Sequence, residues 1–248
     1  MKRFIGAMET LTSEVKAVLA QSFDKCIRGY HLVNEEPMKE APWEAINATI
    51  LGASGLPVQS QARGSHKSGA DIQCEKLGGG LSNKSAQYQS HRKSFKVSSY
   101  RLTGVCSDKC PGKSEDILAE IEKRKNFGYY SILVREEETD KISYDWYLFP
   151  ADLPELNPRS YEWGLKTGKL KKNKGAVMGW ETGKLNGSSM SITFAMSSQL
   201  WMEVYLTENM EGFRIGSCTV EKKKPMTYIE LFDKLGLGRG LGGGSDSL

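Results

Sequence analysis

The chain has 248 residues with a formal net charge of +4, and 39% of the residues are hydrophobic. This length and apolar content suit one large domain or two small ones with an ordinary hydrophobic core. No stretch is long and apolar enough to span a membrane, the first apolar segment is too short for a signal peptide, and the five cysteines follow no disulfide framework. We therefore expect a cytoplasmic protein without membrane association.

Two amphipathic helices are predicted before the first strand. The apolar period of the first indicates a helix over residues 12–26 that ends at Gly29. The second is predicted over residues 43–52, with Pro42 at its start because proline is favoured in the first helical turn. Glu44 then lies in this first turn. The helix dipole alone favours a carboxylate there, so a solvated side chain and a functional one are equally consistent with the pattern.

Residues 69–88 predict a β-hairpin. Apolar and polar residues alternate before three consecutive glycines, which favour a tight turn, and a second short strand follows. In the register that this turn predicts, Asp71 lies near Ala86. Asp71 and Lys84 then converge on one polar face, since diagonal residues of a strand pair lie within about 8 Å. A slip of one residue would put Asn83 there in place of Lys84.

This pair of residues resembles the active site of the PD-(D/E)xK nuclease superfamily, to which most type II restriction endonucleases belong. The aspartate of that motif matches Asp71, and its lysine matches Lys84. Ser82 stands where the family usually has a carboxylate. In the family, a glutamate on the helix before the hairpin often reaches the metal or orients the lysine. Glu44, or else Glu75, is therefore the candidate to replace the missing carboxylate.

The resemblance implies Mg²⁺-dependent, sequence-specific hydrolysis of double-stranded DNA by a type II restriction endonuclease that acts as a homodimer. Asp71 and Glu44 are then the expected Mg²⁺ ligands, because Mg²⁺ prefers carboxylate oxygen, water and phosphate oxygen. Lys84 is expected to stabilise the negative charge that develops at the scissile phosphate. Ser82 is expected to hold a metal-bound water.

The predicted fold class is α/β (α+β), with a restriction-endonuclease-like core whose central mixed β-sheet is flanked by helices, and an extra β-rich C-terminal part. The family requires the order helix, hairpin, strand, helix, strand, and the predicted elements follow it. The core strands are predicted at 69–76, 81–88, 95–103, 129–135 and 142–149, with a helix at 114–125. Later strands are predicted at 188–206 and 212–219, with a short helix at 228–235.

Three regions are expected along the chain. Residues 1–149 form the nuclease core with its catalytic hairpin, residues 150–235 form a DNA-recognition or accessory region packed on the core, and residues 236–248 form a flexible glycine-rich tail. Residues 150–186 are rich in proline, glycine and lysine and have little regular pattern. We expect a long irregular segment there.

Basic residues are concentrated around the predicted site, with ten Lys or Arg against three Asp or Glu in residues 63–113. This excess favours a polyanionic partner, although a solvated charged face produces the same pattern. The lysine-rich loop 166–174 predicts an arm that contacts phosphates without reading sequence. Gln199, in a polar interruption of a strand, either reads a base edge or belongs to a plain strand bend. The predicted DNA-contacting residues are Lys67, Arg92, Lys93, Arg101, Lys169, Lys171, Lys172 and Gln199.

Other interpretations stay open. A non-catalytic nucleic-acid-binding protein would share the basic surface, although Asp71 would repel phosphate in such a groove, and a non-specific or repair nuclease would share the site. Cys106 and Cys110 could seed a zinc site with Cys74 or His91, although the usual paired spacing is missing. No nucleophile elbow or P-loop sequence supports a serine-nucleophile or nucleotide-binding function.

Overall fold

A computed structural model describes residues 11–61, 69–77 and 79–236. The helices in these ranges are α1 Ser13–Val33, α2 Glu40–Ala53, α3 Ser114–Arg124, α4 Ala195–Ser198 and α5 Tyr228–Lys234. The strands are β1 Ser60–Gln61, β2 Ile72–Cys74, β3 Gly79–Gln89, β4 Ser94–Arg101, β5 Tyr129–Glu137, β6 Lys141–Pro150, β7 Trp163–Thr167, β8 Val177–Thr182, β9 Ser189–Thr193, β10 Gln199–Tyr205 and β11 Arg214–Glu221.

The strands form an 11-stranded sheet in the order β11-β6-β5-β3-β4-β10-β9-β8-β7, with β2 paired to β3 and β1 to β2. Its ladders are antiparallel except that between β3 and β5, which is parallel. The protein therefore has a mixed α/β fold with a large, mostly antiparallel sheet flanked by helices. The predicted mixed sheet and its flanking helices are confirmed at this level.

The sheet bends sharply between β3 and β4. These two strands pair only at Tyr88 with Phe95 and at Gln89 with Ser94, next to the turn that joins them. Beyond that point they diverge, and one buried cluster contains side chains from the strands on both sides of the bend. Phe95 of β4 and Phe149 of β6 stack across this cluster with ring centroids 6.4 Å apart. The two halves of the sheet therefore share a core.

The opposite face of β3, β5 and β6 is covered by α1 and α2. Phe23 of α1 packs against Trp43 of α2 and Trp146 of β6, with ring centroids 6.0 and 5.7 Å apart. All three aromatic side chains are fully buried. Alternate residues of β5 and β6 enter the two clusters, which explains why these strands read as nearly continuous apolar runs. This second core fixes α2 against β3.

Helix α1 extends to Val33, past the predicted end at Gly29. An interior glycine costs a helix about 1 kcal/mol relative to alanine. The buried face that ends at Ile27 and the contact of the His31 ring with the Tyr144 hydroxyl, at 2.8 Å, offset this cost. Tertiary contacts therefore outweigh the local signal for a helix end.

The prediction that residues 150–186 are irregular is wrong. This segment contains β7 and β8, which pair from Trp163 with Thr182 to Thr167 with Val177. Both strands are short, and their glycine and lysine residues interrupt the alternation of apolar and polar side chains that predicts a strand. The regions 1–149 and 150–235 contribute strands to one sheet, since β10 pairs with β4 and β11 with β6. The division into these regions stays a prediction, and most of the tail lies outside the described residues.

The hairpin forms, but its predicted register is wrong. Ile72 pairs with Leu81 and Cys74 with Gly79, whereas the predicted register would have paired Ile72 with Ser85, four residues further along β3. The reason is that Glu75–Leu77 forms a 3-10 helix, in which Leu77 is buried. The chain reverses near this helix, and Gly79 and Gly80, two of the three glycines expected to form the turn, are the first residues of β3.

Gly80 allows β2 and the segment before it to approach β3 closely. A Cβ atom at Gly80 would lie 2.7 Å from Ala70 Cβ and 2.8 Å from the Asn126 carbonyl oxygen. We expect Gly80→Ala to lower the free energy of unfolding by about 1–3 kcal/mol, the usual cost of overpacking. Gly128→Ala is the matched control, because nothing lies within 4 Å of its Cβ position. Urea unfolding of both variants measures the difference, and an equal stability of the two would contradict this account.

Candidate active site

The candidate site lies where β2 leaves β3. On one side, β3 pairs with β5 from Leu81 to Gln87. On the other side, the β2 ladder ends at Leu81 and the β4 ladder begins at Tyr88, so no described strand covers this edge between them. Asp71, just before β2, and Ser82 and Lys84 of β3 lie at this uncovered edge. Backbone N–H and C=O groups that would otherwise pair with a neighbouring strand can form hydrogen bonds with side chains there.

Asp71 is held by the backbone of β3. Its Oδ2 atom accepts a hydrogen bond of 2.6 Å from the Asn83 backbone N–H and one of 3.3 Å from the Ser82 hydroxyl. Burial raises the pKa of Asp71, although the Lys84 ammonium and the Asn83 hydrogen bond oppose this shift. The carboxylate is therefore fixed in position and only partly compensated in charge.

Lys84 reaches Asp71 from the neighbouring part of β3. Its Nζ atom lies 4.0 Å from Asp71 Oδ2 and donates hydrogen bonds to Glu40 Oε1 at 2.8 Å and to the Asn83 carbonyl oxygen at 2.7 Å. The lysine side chain is only 10% exposed. The structure thus brings together Asp71, Ser82 and Lys84 in a register other than the predicted one, because the long lysine side chain spans the distance.

Helix α2 contributes two carboxylates, Glu40 and Glu44, which lie one turn apart on the same face. Burial raises the pKa of Glu44 to about 7, and the charges of Asp71 and Glu40 add to this effect while Lys84 opposes it. Glu44 therefore lies close enough to Asp71 and Lys84 to sense their charges, and its role in the site stays a prediction. Glu75, the other candidate carboxylate, is exposed in the 3-10 helix of the hairpin.

Glu40 was not predicted to belong to the site. The predicted helix began at residue 43, which left Glu40 in the preceding loop, whereas α2 begins at Glu40 itself. Pro42 is tolerated anywhere in the first turn, because the backbone N–H groups there have no helical partner. The two glutamates are four residues apart, and proline is allowed in the first helical turn. Together these two facts would have identified Glu40 as a residue on the same helix face as Glu44.

A buried amide network fixes α2 to β3 behind the site. The Asn47 side-chain amide of α2 donates to Asn83 Oδ1 at 2.6 Å and to the Ser131 hydroxyl at 2.8 Å. Trp146 donates its indole N–H to the same hydroxyl at 2.9 Å. Asn47 and Asn83 are fully buried. The Asn83 side chain therefore points away from Lys84. Its backbone contacts Asp71 and Lys84, whereas its side chain contacts Asn47 of α2.

The predicted DNA-contacting residues are spread over the molecule. Arg92 and Lys93 lie in the turn between β3 and β4, and Lys169, Lys171 and Lys172 lie between β7 and β8. Arg92 is exposed, 3.8 Å from Glu203. Lys67 is outside the described residues. Among Arg92, Lys93, Arg101, Lys169 and Lys171, whose side chains the structure describes, none forms an ion pair with Asp71, so the roles of the predicted DNA-contacting residues stay predictions.

Gln199 and Arg101 are neighbours at one end of the bent sheet, where they form a ladder pair between β10 and β4. Within the described residues, the Gln199 amide makes one long contact, of 3.4 Å, with the Ser99 carbonyl oxygen. Before it, Ser197 and Ser198 have positive φ angles of 75° and 46°. The buried Ser198 hydroxyl donates to the Cys106 carbonyl oxygen at 2.8 Å, which anchors this strained turn. Gln199 therefore follows a fixed turn rather than a loose bend.

A zinc site at the cysteines gains no support. Cys74 and Cys106 belong to different buried clusters on opposite faces of the sheet. Within the ranges 11–61, 69–77 and 79–236, no three or more His, Cys, Asp or Glu side chains are grouped closely enough to hold a metal ion.

No helix in those ranges is long and apolar enough to cross a membrane. Comparisons with protein-family models, curated proteins and solved structures found no match to this chain.

The raised pKa of Glu44 predicts how stability varies with pH. A carboxyl group whose pKa is about 7 when folded and 4.5 when unfolded binds more protons in the folded state between these values. The free energy of unfolding should therefore fall as pH rises from about 4.5 to 7, and this decline should be smaller in Glu44→Gln. Urea unfolding across this pH range measures the difference. The same pH dependence in both proteins would show that Glu44 titrates normally.

Proposed function

We propose that this protein is a metal-dependent endodeoxyribonuclease that hydrolyses phosphodiester bonds of double-stranded DNA, in the manner of a type II restriction endonuclease. The observation that carries the proposal is the convergence of one buried lysine, Lys84, with Asp71, Glu40 and Glu44 at an uncovered edge of β3. The resemblance to the PD-(D/E)xK motif rests on the same aspartate and lysine, with Ser82 in place of the carboxylate that the family usually has.

The order of elements around the site supports the same proposal. Apart from the two-residue β1, helix α2 is followed by β2, β3 and β4, then by α3 and β5. This is the order helix, hairpin, strand, helix, strand that the family core requires, and the parallel pairing of β5 with β3 makes the sheet mixed. The assignment to a restriction-endonuclease-like core is part of the proposal.

The donor set fits Mg²⁺. Asp71, Glu40 and Glu44 bring three carboxylates to one ammonium group, and the pKa of Glu44 is raised first by burial and then by the charges of Asp71 and Glu40. Mg²⁺ in phosphate-processing sites takes one or two carboxylates and completes its shell with water and substrate phosphate, so a cage of three or more protein ligands is not needed. Asp71 and Glu44 would hold the ion. A bound Mg²⁺ supplies hydroxide near neutral pH and charge neutralisation at phosphate.

The protein groups have separate tasks in this proposal. Lys84, held by Glu40 and by the Asn83 carbonyl, would present its ammonium group beside Asp71 to the scissile phosphate and stabilise charge as it develops. The Ser82 hydroxyl donates to Asp71. Ser82 would therefore orient the aspartate, a task different from the water-holding role expected from the sequence. Glu40 would position Lys84.

Electrostatics favours an enzyme over a non-catalytic DNA-binding protein. Three carboxylates around one lysine repel a phosphate backbone unless a cation is bound between them. Burial raises the pKa of Asp71 and Glu44, which means that keeping these carboxylates ionised costs free energy. A groove that only binds DNA would gain nothing from that cost. The Asp71 and Glu40 side chains are 23% and 43% exposed, so this charge reaches the surface.

Cleavage should depend on Asp71 and Lys84. We expect Asp71→Asn and Lys84→Met to reduce the rate of plasmid cleavage in Mg²⁺ by at least about 100-fold, because each removes a group that acts on developing charge. Ser82→Ala should cost less, since the Asn83 N–H still holds Asp71. Lys39→Met is the matched control, because Lys39 precedes Glu40 and its side chain is 69% exposed.

The products separate the candidate functions. Discrete fragments from a mixed-sequence plasmid would mean a sequence-specific enzyme, and a smear would mean a non-specific or repair nuclease. Intact DNA together with tight binding would reject catalysis. Full cleavage by Asp71→Asn or Lys84→Met would show that a different set of groups performs the chemistry.

The lysines between β7 and β8 should contribute affinity without sequence preference. Each lysine that neutralises a duplex phosphate adds about 0.9 to the slope of log K against log salt. Lys169→Ala/Lys171→Ala should therefore flatten this slope by up to about two units, measured by binding titrations in Ca²⁺ at several salt concentrations. Lys222→Ala/Lys224→Ala is the control, because these exposed lysines follow β11 at the opposite edge of the sheet. If both double substitutions had the same effect on the slope, the lysines between β7 and β8 would have no specific part in DNA binding.

A further inference from the structure

A second buried carboxylate, Glu155, lies in a cavity that has no part in the proposed nuclease site. The cavity has a volume of about 450 Å³ and lies between the 3-10 helix Pro154–Leu156, the turn from β8 to β9 and the segment after β10. Its volume is within the usual range for small-molecule sites, about 300–1,000 Å³. Glu155 is only 7% exposed and lines this cavity.

The Glu155 carboxylate has one neutral partner. Asn186 donates its side-chain N–H to Glu155 Oε1 at 2.7 Å. Among the described residues, no Lys, Arg or His forms an ion pair with Glu155, and its Oε2 atom accepts no hydrogen bond. Burying a carboxylate without a paired charge is costly, and one amide donor compensates only part of that cost. The carboxylate therefore lines the cavity without a cationic partner among the described residues.

Both partners are held rigidly. Asn186 and Gly187 have φ angles of 50° and 86°, and the bonds between Leu185 and Ser188 close this tight turn at 2.8 and 2.9 Å. On the other side, the Tyr161 hydroxyl donates to the Glu155 carbonyl oxygen at 2.9 Å. The carboxylate and its amide donor are therefore positioned before any ligand arrives, which lowers the entropic cost of binding.

The rest of the lining indicates the shape of the ligand. Leu153, Pro154, Met210 and Phe213 provide apolar walls, while Thr207 and Asn209 add polar groups. Glu155 is the only His, Cys, Asp or Glu side chain in this lining, so a metal ion would find a single carboxylate there. An organic cation instead needs one carboxylate for its charged head and apolar walls for its stem.

We infer that this cavity binds a small organic cation, an alkylguanidinium or alkylammonium group, with Glu155 as its counter-ion. The head forms charge-assisted hydrogen bonds with the carboxylate, and the alkyl stem packs against Met210 and Phe213. A guanidinium head is favoured over an ammonium head, because its fork of donors can engage both carboxylate oxygens. This site is independent of Asp71 and Lys84.

Calorimetric titration of the full chain with n-butylguanidinium tests this inference, with n-butylurea as a neutral probe of nearly the same shape. We expect saturable binding of n-butylguanidinium, at least about tenfold weaker binding of n-butylammonium, and no binding of n-butylurea. Glu155→Gln is the matched variant, because its amide oxygen can still accept the Asn186 hydrogen bond while the charge is removed. Binding to this variant should be at least about tenfold weaker.

Several outcomes would overturn the inference. One is the absence of saturable n-butylguanidinium binding to the wild-type protein, and another is equal affinity for n-butylguanidinium and n-butylurea. Undiminished binding to a folded Glu155→Gln protein would place the cation elsewhere. The comparison of charged and neutral probes uses the wild-type chain alone, so it decides the question even if the variant fails to fold. DNA cleavage plays no part in either readout.

Discussion

The hydrogen bond from the Asn83 backbone N–H to the Asp71 carboxylate, at 2.6 Å, is available only because β3 lacks a strand partner at that point. Between Leu81 and Tyr88, β2 has already left this edge and β4 has not yet reached it. A complete ladder would have consumed the same N–H group. The bend of the sheet and the position of the candidate site are therefore two consequences of one interruption in strand pairing.

The amide network behind β3 has a cost that packing alone does not explain. Asn47 Oδ1 and Asn83 Nδ2 are buried without a hydrogen-bond partner among the described residues, and each such group costs about 1–3 kcal/mol. Apolar side chains of similar size would avoid that cost. What the amides provide is register, because only one alignment of α2 on β3 joins Asn47 to Asn83 and Ser131. The same alignment sets Glu40 against Lys84.

Periodicity predicted the long elements, and burial of their apolar faces made these predictions dependable. It placed α3, β5 and β6 within a few residues, whereas Asp71, Lys84 and Glu44 were selected by the resemblance to the PD-(D/E)xK motif. It could not predict the hairpin register, because the 3-10 helix at Glu75–Leu77 depends on burying Leu77 in a core that local pattern does not reveal. It missed Glu40 for a related reason, since the start of α2 is set by contacts with β3.

Local sequence also fails to rank the acidic residues, because their chemistry depends on what surrounds them after folding. Glu44 and Glu75 were equivalent as residue types, yet one is partly buried beside two other carboxylates and the other is exposed on a turn. Glu155 carried no signal, since it lies in a segment without regular pattern. Desolvation is tolerated at Asp71 because Lys84 and a backbone N–H share its charge. At Glu155 the hydrogen-bond donor is one neutral amide, and no charged partner is present among the described residues.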